Sequence, residues 1–375
     1  MESPILNAYL SNYHTSSKLN NLSTQRAVRP VLEYPFEKLW SPKPGEPFEV
    51  ADGVYWLRVP LPIALDHINL WLLKDGDGWT IVDSGYDDPL CKQVWQQVFA
   101  EFLDPRDVKR VIITHFHPDH IGLASWLALQ CDCPVWISAG EFRHYQSILA
   151  RKPKAYAQEV RLFLGELGFD SKEQEPYVGF FGVDDKPEET RVQESMCHFI
   201  ADGDSIFVDG KQWLVLSGNG HSPEHSCLIC PELNVMISGD QSIPRISSNV
   251  SVYPSNRHED PLGDWLDSCI KLRDKVPLGT LILPSHQEPF TGNEKRMQQL
   301  IDDHHAQLNQ LRIAINGQAI TASQARRILF VRELNVVETL LATGETLAHL
   351  NYLLHRGEIS SKHDDDGIAW FSAAA

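Results

Sequence analysis

Residues 111–122 read Val111-Ile112-Ile113-Thr114-His115-Phe116-His117-Pro118-Asp119-His120-Ile121-Gly122, a short β-branched run followed at once by four side chains that can bind a metal. The apolar run predicts a buried strand, and Gly122 marks a place where a helix can begin. His115 and His117 are two residues apart, so on an extended segment both lie on one face and can reach one ion. Pro118 imposes a turn, after which Asp119 and His120 can point to a second position nearby. The alternative, a polar surface loop, gives no reason for so many ligands in so short a stretch.

The same stretch resembles the HxHxDH signature of the metallo-β-lactamase superfamily. Four other motifs of that family recur in the right order: Thr-Ile-Val-Asp-Ser-Gly at 80–85, Gly-His-Ser-Pro-Glu-His at 220–225, Ser-Gly-Asp at 238–240 and Leu-Pro-Ser-His at 283–286. The resemblance covers about residues 47–290. It implies an α/β (α+β) fold of the four-layer αββα sandwich type, which agrees with a strand-rich start followed by alternating helices and strands.

The resemblance also implies two divalent metal ions, and every ligand position of the family is filled. The seven ligands form two groups of three with a bridging carboxylate between them: His115, His117 and His221; Asp119, His120 and His286; and Asp240. Zinc suits such nitrogen-rich sites, and a site that includes an aspartate also accommodates iron or manganese. A cysteine at the bridging position marks the antibiotic-hydrolysing enzymes of the superfamily. With Asp240 there, this chain instead resembles the glyoxalase II branch, related lactonases and thioesterases, and the ribonucleases.

Two aspartates are predicted to be catalytic. A water held between two cations loses a proton near neutral pH, and the metal-bound hydroxide can attack a carbonyl or phosphoryl group. Asp240 is expected to bridge the ions. Asp119 is expected to hold the proton of the hydroxide, or to act as a ligand alone.

Four further residues are candidates for supporting roles. Asp83 matches the family's aspartate beneath the histidines, where it would accept an imidazole N–H; the alternative is a turn or helix-cap residue. His225 is expected to support the site rather than to bind metal, since seven ligands already complete it. Arg245 is a candidate anion-binding group or half of a structural salt bridge. Tyr145 is a candidate substrate contact.

Tyr145 belongs to an insertion at about residues 140–200. Helical patterning covers Glu141 to Leu167, and a stretch rich in Gly, Pro and acidic residues continues to Thr190. Insertions of this length often form lids or substrate walls. Seven aromatic residues would suit an apolar acyl or aromatic group, or would form the insertion's own core: Phe142, Tyr145, Tyr156, Phe163, Tyr177, Phe180 and Phe181.

The remaining chain is predicted to contain a flexible N-terminal arm at 1–30, the catalytic domain at 31–318 and a small module at 319–375. The module's pattern predicts helices at Ser323 to Phe330, Val336 to Ala342 and Glu345 to Gly357, with a break at Thr343-Gly344, and then a β-hairpin. This order resembles the winged-helix appendage of some lactamase-like hydrolases. Because few cations lie on it, we expect packing or dimerisation rather than nucleic-acid binding.

Composition limits the function classes. The 375 residues carry a formal charge of −17, which disfavours partners such as nucleic acid or anionic lipid. No apolar run reaches the roughly 18 residues of a membrane span. The seven scattered cysteines fit reduced thiols and a cytoplasmic location, and Cys227 and Cys230 are expected to be core thiols.

The sequence thus favours a binuclear hydrolase that cleaves a thioester, ester or lactone of a small molecule, with a homodimer as a candidate assembly. One alternative is a metal-dependent endoribonuclease. The winged-helix-like module at 319–375 favours it, and the net charge of −17 disfavours it. Another is a mononuclear iron oxygenase acting on a thiol adduct. The intact second ligand group disfavours it, because an enzyme with one metal does not need that group. A non-catalytic binding protein would be expected to have lost ligands.

Overall fold

The computed structural model describes residues 31–62, 65–180 and 190–374, and two β-sheets lie at its centre. The arm predicted for residues 1–30 lies outside the described residues. The first sheet has seven strands in chain order: β1 Phe48–Ala51, β2 Val54–Pro60, β3 His67–Asp75, β4 Gly78–Val82, β5 Val108–Ile112, β6 Val135–Ser138 and β7 Cys197–Ile200. From β1 to β4 the strands are antiparallel, and from β4 to β7 they are parallel.

The second sheet has five strands: β8 Ser205–Val208, β9 Lys211–Gly218, β10 His225–Cys230, β11 Val235–Gly239 and β12 Leu281–Pro284. Their order is β12-β11-β10-β9-β8, and β11 and β12 run parallel while the other pairs are antiparallel. Cys227 and Cys230 are buried free thiols in β10, which confirms the interpretation of this pair as core residues.

The helices between and after these strands are α1 Pro89–Glu101, α2 Pro118–Ile121, α3 Ala124–Cys131, α4 Ala139–Leu149, α5 Pro153–Glu166, α6 Ser171–Phe180, α7 Pro261–Lys275 and α8 Asn293–Ile315. Short 3-10 turns occur at Pro105–Asp107, Glu194–Met196 and Pro254–Asn256. Asp88 begins α1, since its carboxylate accepts from the amides of Leu90 and Cys91, and Pro89 occupies the first turn.

Three apolar cores separate four layers. Trp56 and Trp71 of the first sheet pack against Trp213 and Leu228 of the second, so both sheets bury their inner faces together. The outer face of the first sheet packs on α1 and α3. The outer face of the second packs on α7 and α8. This is the predicted αββα sandwich.

The insertion contains α4, α5 and α6. The last of these, which holds Pro176, was not predicted, because the sequence there is rich in Gly, Pro and acidic residues. Four aromatic residues of the insertion are buried in the apolar cores: Phe142, Tyr156, Phe163 and Tyr177. Those four side chains are therefore structural, but they belong to cores that the insertion shares with the two sheets rather than to a core of its own. The side chains of Phe180 and Phe181 lie outside the described part of the structure.

The C-terminal segment adds α9 Ala322–Leu329 and α10 Val336–His355, with a third sheet of β13 Ile320–Thr321, β14 Ile359–His363 and β15 Ala369–Ala373 in the order β13-β15-β14. The antiparallel β14–β15 pair confirms the predicted hairpin. The predicted break at Thr343-Gly344 is wrong, because α10 continues through it. The Thr343 hydroxyl donates to the Thr339 carbonyl within the helix, so the polar side chain does not disrupt the turn.

The C-terminal segment shares a core with the rest of the protein. Leu329, Leu347 and Leu353 belong to the same buried cluster as Leu308 of α8 and Trp265 of α7. Among the described helices, none has the length and apolar character needed to cross a bilayer.

Candidate metal centre

Five loops meet at the carboxyl ends of strands from both sheets. They follow β4, β5, β9, β11 and β12, and each of these strands ends within or just before one of the five sequence motifs. The structure brings all seven predicted ligands together in two groups whose donor atoms lie within 4.8 Å of one another: His115, His117, His221 and Asp240; and Asp119, His120 and His286.

In the first group, three imidazoles converge on one carboxylate oxygen. His115 Nε2 lies 2.8 Å from His117 Nδ1. Asp240 Oδ2 lies 3.5 Å from His221 Nε2 and 3.9 Å from His115 Nε2. Tetrahedral ligands at zinc bond lengths of about 2.0–2.1 Å are roughly 3.3 Å apart, so these spacings fit one ion.

In the second group, the other oxygen of Asp240 faces the remaining ligands. Asp240 Oδ1 lies 3.5 Å from both His120 Nε2 and His286 Nε2. Asp119 Oδ2 lies 3.3 Å from His286 Nε2 and 3.7 Å from His120 Nε2. Asp240 therefore presents one oxygen to each group.

Hydrogen bonds at Nδ1 orient three of the histidines. His120 donates from Nδ1 to Asp83 Oδ2 at 2.8 Å. His221 donates to the Asn249 carbonyl at 2.7 Å, and His286 to the His67 carbonyl at 2.9 Å. Because the proton sits on Nδ1 in each case, the Nε2 lone pair is free to bind a cation.

The inward-facing atoms are buried and lack partners. Among the described residues, no hydrogen bond is made by Nε2 of His120, His221 or His286, or by Oδ1 of Asp240. Such atoms are costly to bury unless a partner compensates them. Burial also lowers the pKa of His115 and His117 well below its usual value, which keeps them as the neutral imidazoles that metals require. The donor set thus fits two divalent cations.

Asp83 lies directly beneath these histidines. Its backbone adopts a left-handed φ of 62°, which turns the side chain back under the loop after β5. Its carboxylate accepts from the Thr114 amide at 2.8 Å and from the Thr114 hydroxyl as well as from His120. Asp83 occupies the place that the family resemblance implies for it.

His225 supports the backbone of the bridging residue. Its Nε2 accepts from the Asp240 amide at 3.1 Å, so this nitrogen is not available to a metal. Burial lowers the pKa of His225 to about 3, and the ring is neutral. Gly239 passes so close that a Cβ there would lie 2.3 Å from His225 Nε2. Only glycine fits at this close approach to His225, and its φ of 52° also favours glycine.

Glu141 is a supporting residue that the sequence analysis missed. It is fully buried, and its carboxylate accepts from the Phe116 amide at 2.9 Å, the Ser222 hydroxyl at 2.6 Å and the Glu224 amide at 2.7 Å. It therefore joins the loop of His115 and His117 to the loop of His221. The Ser138-x-x-Glu141 pattern is that of a helix capping box, which gives no indication of this role.

A second missed pair holds the loop of His286. His67 supplies the carbonyl that orients His286, and its Nε2 accepts from the Gln287 amide at 2.9 Å. The Asn69 side-chain amide donates to the carbonyls of Pro284 and Gln287. Both residues lie in β3. The sequence there has the pattern of a strand, which does not indicate that these two side chains support the site.

The two predicted substrate contacts have other partners in the structure. Arg245 forms a two-nitrogen ion pair with Glu288, with Nη2 3.2 Å from Oε1. A structural salt bridge is one of the two roles expected for Arg245 from the sequence, and this ion pair corresponds to that role. Tyr145 packs on the core of the first sheet, and its hydroxyl accepts from the Val192 amide at 3.4 Å. A role in substrate binding stays a prediction for both.

Comparisons with known proteins agree with this geometry. The profile of the family described as the metallo-beta-lactamase superfamily matches residues 63–286, and that of a metallo-beta-lactamase-like C-terminal domain matches residues 308–374. The "Probable metallo-hydrolase YqjP" of Bacillus subtilis is 25% identical over 83% of this chain and 95% of its own length.

Two further relatives differ widely in how much of the chain they cover. The crystal structure of a beta-lactamase domain protein from Burkholderia ambifaria is 37% identical, with a TM-score of 0.82, over 92% of this chain and 98% of that one. A hydroxyacylglutathione hydrolase of Tolumonas auensis is 34% identical over only 18% of this chain and 24% of its own length. By its matching profile and by a close structural relative that spans nearly the whole chain, the protein belongs to the metallo-beta-lactamase superfamily.

Proposed function

We propose that this protein is a binuclear metal-dependent hydrolase that cleaves a thioester, ester or lactone of a small molecule. The observation that carries the proposal is the position of Asp240, whose Oδ2 faces His115 and His221 and whose Oδ1 faces His120 and His286. A carboxylate between two donor groups is the arrangement that a pair of cations requires, and a single-metal enzyme would not need the second group.

Two divalent cations at these positions would supply Lewis acidity and a water of lowered pKa. The chain's own residues supply the rest. The Asp240 carboxylate is held in line by the hydrogen bond from its amide to His225. We expect the carboxylate of Asp119, whose Oδ2 lies 3.3 Å from His286 Nε2, to take the proton of the attacking water. As water attacks the carbonyl carbon, the bond to sulfur or oxygen breaks and the leaving group takes up a proton.

The substrate class is proposed on two grounds. The bridging residue is Asp240. An aspartate at this position, in place of a cysteine, distinguishes the glyoxalase II-like branch from the antibiotic-hydrolysing branch. One relative, the Tolumonas auensis protein, is named for the hydrolysis of hydroxyacylglutathione. The charge of −17 disfavours RNA as a substrate, so we propose a small molecule.

The test is thiol release from a panel of glutathione and coenzyme A thioesters, using protein reloaded separately with zinc, manganese or iron. We expect turnover with at least one metal. In Asp240→Ala, we expect bound metal to fall and turnover to disappear, because both groups lose their shared ligand. Asp240→Asn keeps the shape and removes the charge, and it should behave in the same way.

Asp107→Ala is the matched control, since Asp107 is exposed and lies in a turn away from the five loops. It should keep both metal and turnover. An Asp240→Ala protein that retains two metals and full activity would refute the bridging assignment. If no thioester in the panel is hydrolysed with any of the three metals, thioesters are excluded as substrates. Lactones should then be tested, followed by structured RNA.

A further inference from the structure

We infer that helix α10 of the C-terminal segment positions His221, and so tunes the metal affinity of the first ligand group. This inference rests on the proposed function, because it requires that the group binds a metal. It assigns to the segment at 319–375 a role in the metal centre, in addition to packing.

The connection begins at His221. Its Nδ1 donates to the Asn249 carbonyl at 2.7 Å, and among the described residues no other hydrogen bond orients this ring. The position of the backbone at Asn249 therefore sets the direction of the His221 Nε2 lone pair. A shift of the carbonyl that anchors a ligating histidine typically reduces metal affinity by about 10–100-fold.

The segment after Asn249 is fixed to α10 by its backbone. Val252 donates from its amide to the Gly344 carbonyl at 3.1 Å. The Ser251 hydroxyl donates to the Asn249 side-chain oxygen at 2.5 Å and also lies 3.4 Å from the Leu341 carbonyl. Ser251 thus links the side chain of Asn249, the residue whose backbone carbonyl orients His221, to the middle of the helix.

Further along, the last turns of α10 hold the same segment. The Asn351 side chain donates to the carbonyls of Arg257 and Glu259 at 3.0 and 2.7 Å. Arg356 forms an ion pair with Asp260 at 2.7 Å. Segment 249–260 is therefore held along its length by one helix, with Asn249 at its metal-proximal end.

Gly344 shows how close the contact is. A Cβ at this position would lie 2.8 Å from Ser251 Oγ, 2.9 Å from Ser251 Cβ and 3.0 Å from the Val252 carbonyl oxygen. Glycine inside a helix costs up to about 1 kcal/mol relative to alanine. The glycine that suggested a helix break is explained instead by the close approach of segment 249–260.

The experiment is Gly344→Ala in the full-length protein. Alanine suits the helix, but its methyl group must push Ser251 and Val252 away and move Asn249 with them. We expect one of two metals to bind about 10–100-fold more weakly, while the other is retained, as measured by chelator competition and by metal content. The cobalt absorption spectrum of the weakened site should change as well.

Three further variants separate positioning from general damage. Gly317→Ala is the control, because a Cβ there meets no atom within 4 Å, and it should bind both metals as the wild type does. Adding Ser251→Gly to Gly344→Ala removes two of the three close contacts and should recover part of the lost affinity. If Gly344→Ala does not fold, Asn351→Ala removes the hydrogen bonds from α10 to the carbonyls of Arg257 and Glu259 without adding an atom, and it should weaken the same site.

The inference is overturned if Gly344→Ala binds both metals with unchanged affinity. It is equally overturned if both sites weaken to the same extent and Ser251→Gly restores neither. A wild-type protein that binds no metal would instead refute the proposed function, so the two failures can be told apart.

Discussion

Glu141 shows how much one carboxylate can organise. It accepts hydrogen bonds from two loops that are about a hundred residues apart in the chain, those that follow β5 and β9, and these loops carry five of the seven candidate ligands. Burial raises the pKa of this carboxyl, and the hydrogen bonds from Ser222, Glu224 and Phe116 oppose that effect. The buried carboxylate thus meets three hydrogen-bond donors from two loops.

Replacing Glu141 by Gln should weaken both fold and site. The new amide N–H₂ must face one of three donors, which leaves buried groups unpaired at a cost of about 1–3 kcal/mol. We expect a lower melting temperature and weaker metal binding, measured by thermal unfolding and chelator competition. Glu159→Gln, on the neighbouring helix α5, is the control and should change neither. A Glu141→Gln protein with wild-type metal affinity would show that the two loops hold their positions independently.

At the scale of secondary-structure elements, α8 and α10 meet through two buried histidines. His304 Nδ1 lies 3.2 Å from His349 Nε2, and His349 Nδ1 donates to the Glu345 carbonyl at 2.7 Å. Burial lowers the pKa of His349 to about 4 and that of His304 well below its usual value. Both rings are therefore neutral in the folded protein, where they pack between the helices.

This pair should make the protein sensitive to acid. His349 has a lower pKa folded than unfolded, so the unfolded chain binds its proton first, and the stabilising contribution is lost as pH falls from about 6.5 towards 4. We expect the melting temperature to fall less steeply between pH 7 and pH 5 in His349→Gln than in the wild type. His305→Gln changes an exposed neighbour and should keep the wild-type slope. Equal slopes in all three proteins would contradict this account.

The helices also show where sequence patterns fail. The apolar run at residues 111–113 predicts β5, because a buried strand needs only apolar side chains along its length. Sequence patterns do not predict that α10 continues through Gly344, because that glycine serves a contact with a segment about ninety residues earlier. Helix α6 was missed because its composition is that of a loop, while its burial comes from Tyr177 packing on Phe169.

For the molecule as a whole, the sequence indicated the seven candidate ligands that the structure brings together, but not the residues that hold their loops. His115 to His286 follow spaced motifs, each at the end of a strand, so sequence alone indicates them. Glu141, His67 and Asn69 act through backbone groups of distant loops, and no local pattern encodes such contacts. Arg245 illustrates the reverse: the sequence left two roles open, and its pairing with Glu288 favours the structural one.

Removing residues 319–375 should damage the whole protein rather than release an independent part. Leu308 and Leu311 of α8 lie in one core with Leu329, Leu347 and Leu353, and truncation would expose them to solvent. We expect insoluble protein, or soluble protein that binds hydrophobic dyes and unfolds without cooperativity. A truncated chain that stays soluble and unfolds as sharply as the full one would contradict the shared core. Unchanged solubility with loss of RNA binding would favour the ribonuclease alternative.

The spread of the ligands along the chain, from residue 115 to residue 286, has a kinetic consequence. Contacts between residues so distant in sequence form late in folding, since a long loop must close before they are made. In the unfolded chain only the four ligands at residues 115–120 lie near one another, and the other three join them when the strands of the two sheets have formed. We therefore expect both ions to be bound at full affinity only by the folded protein, unlike in a small zinc finger, whose folding the ion itself drives. The cation that the protein acquires would then depend on what its compartment offers after folding.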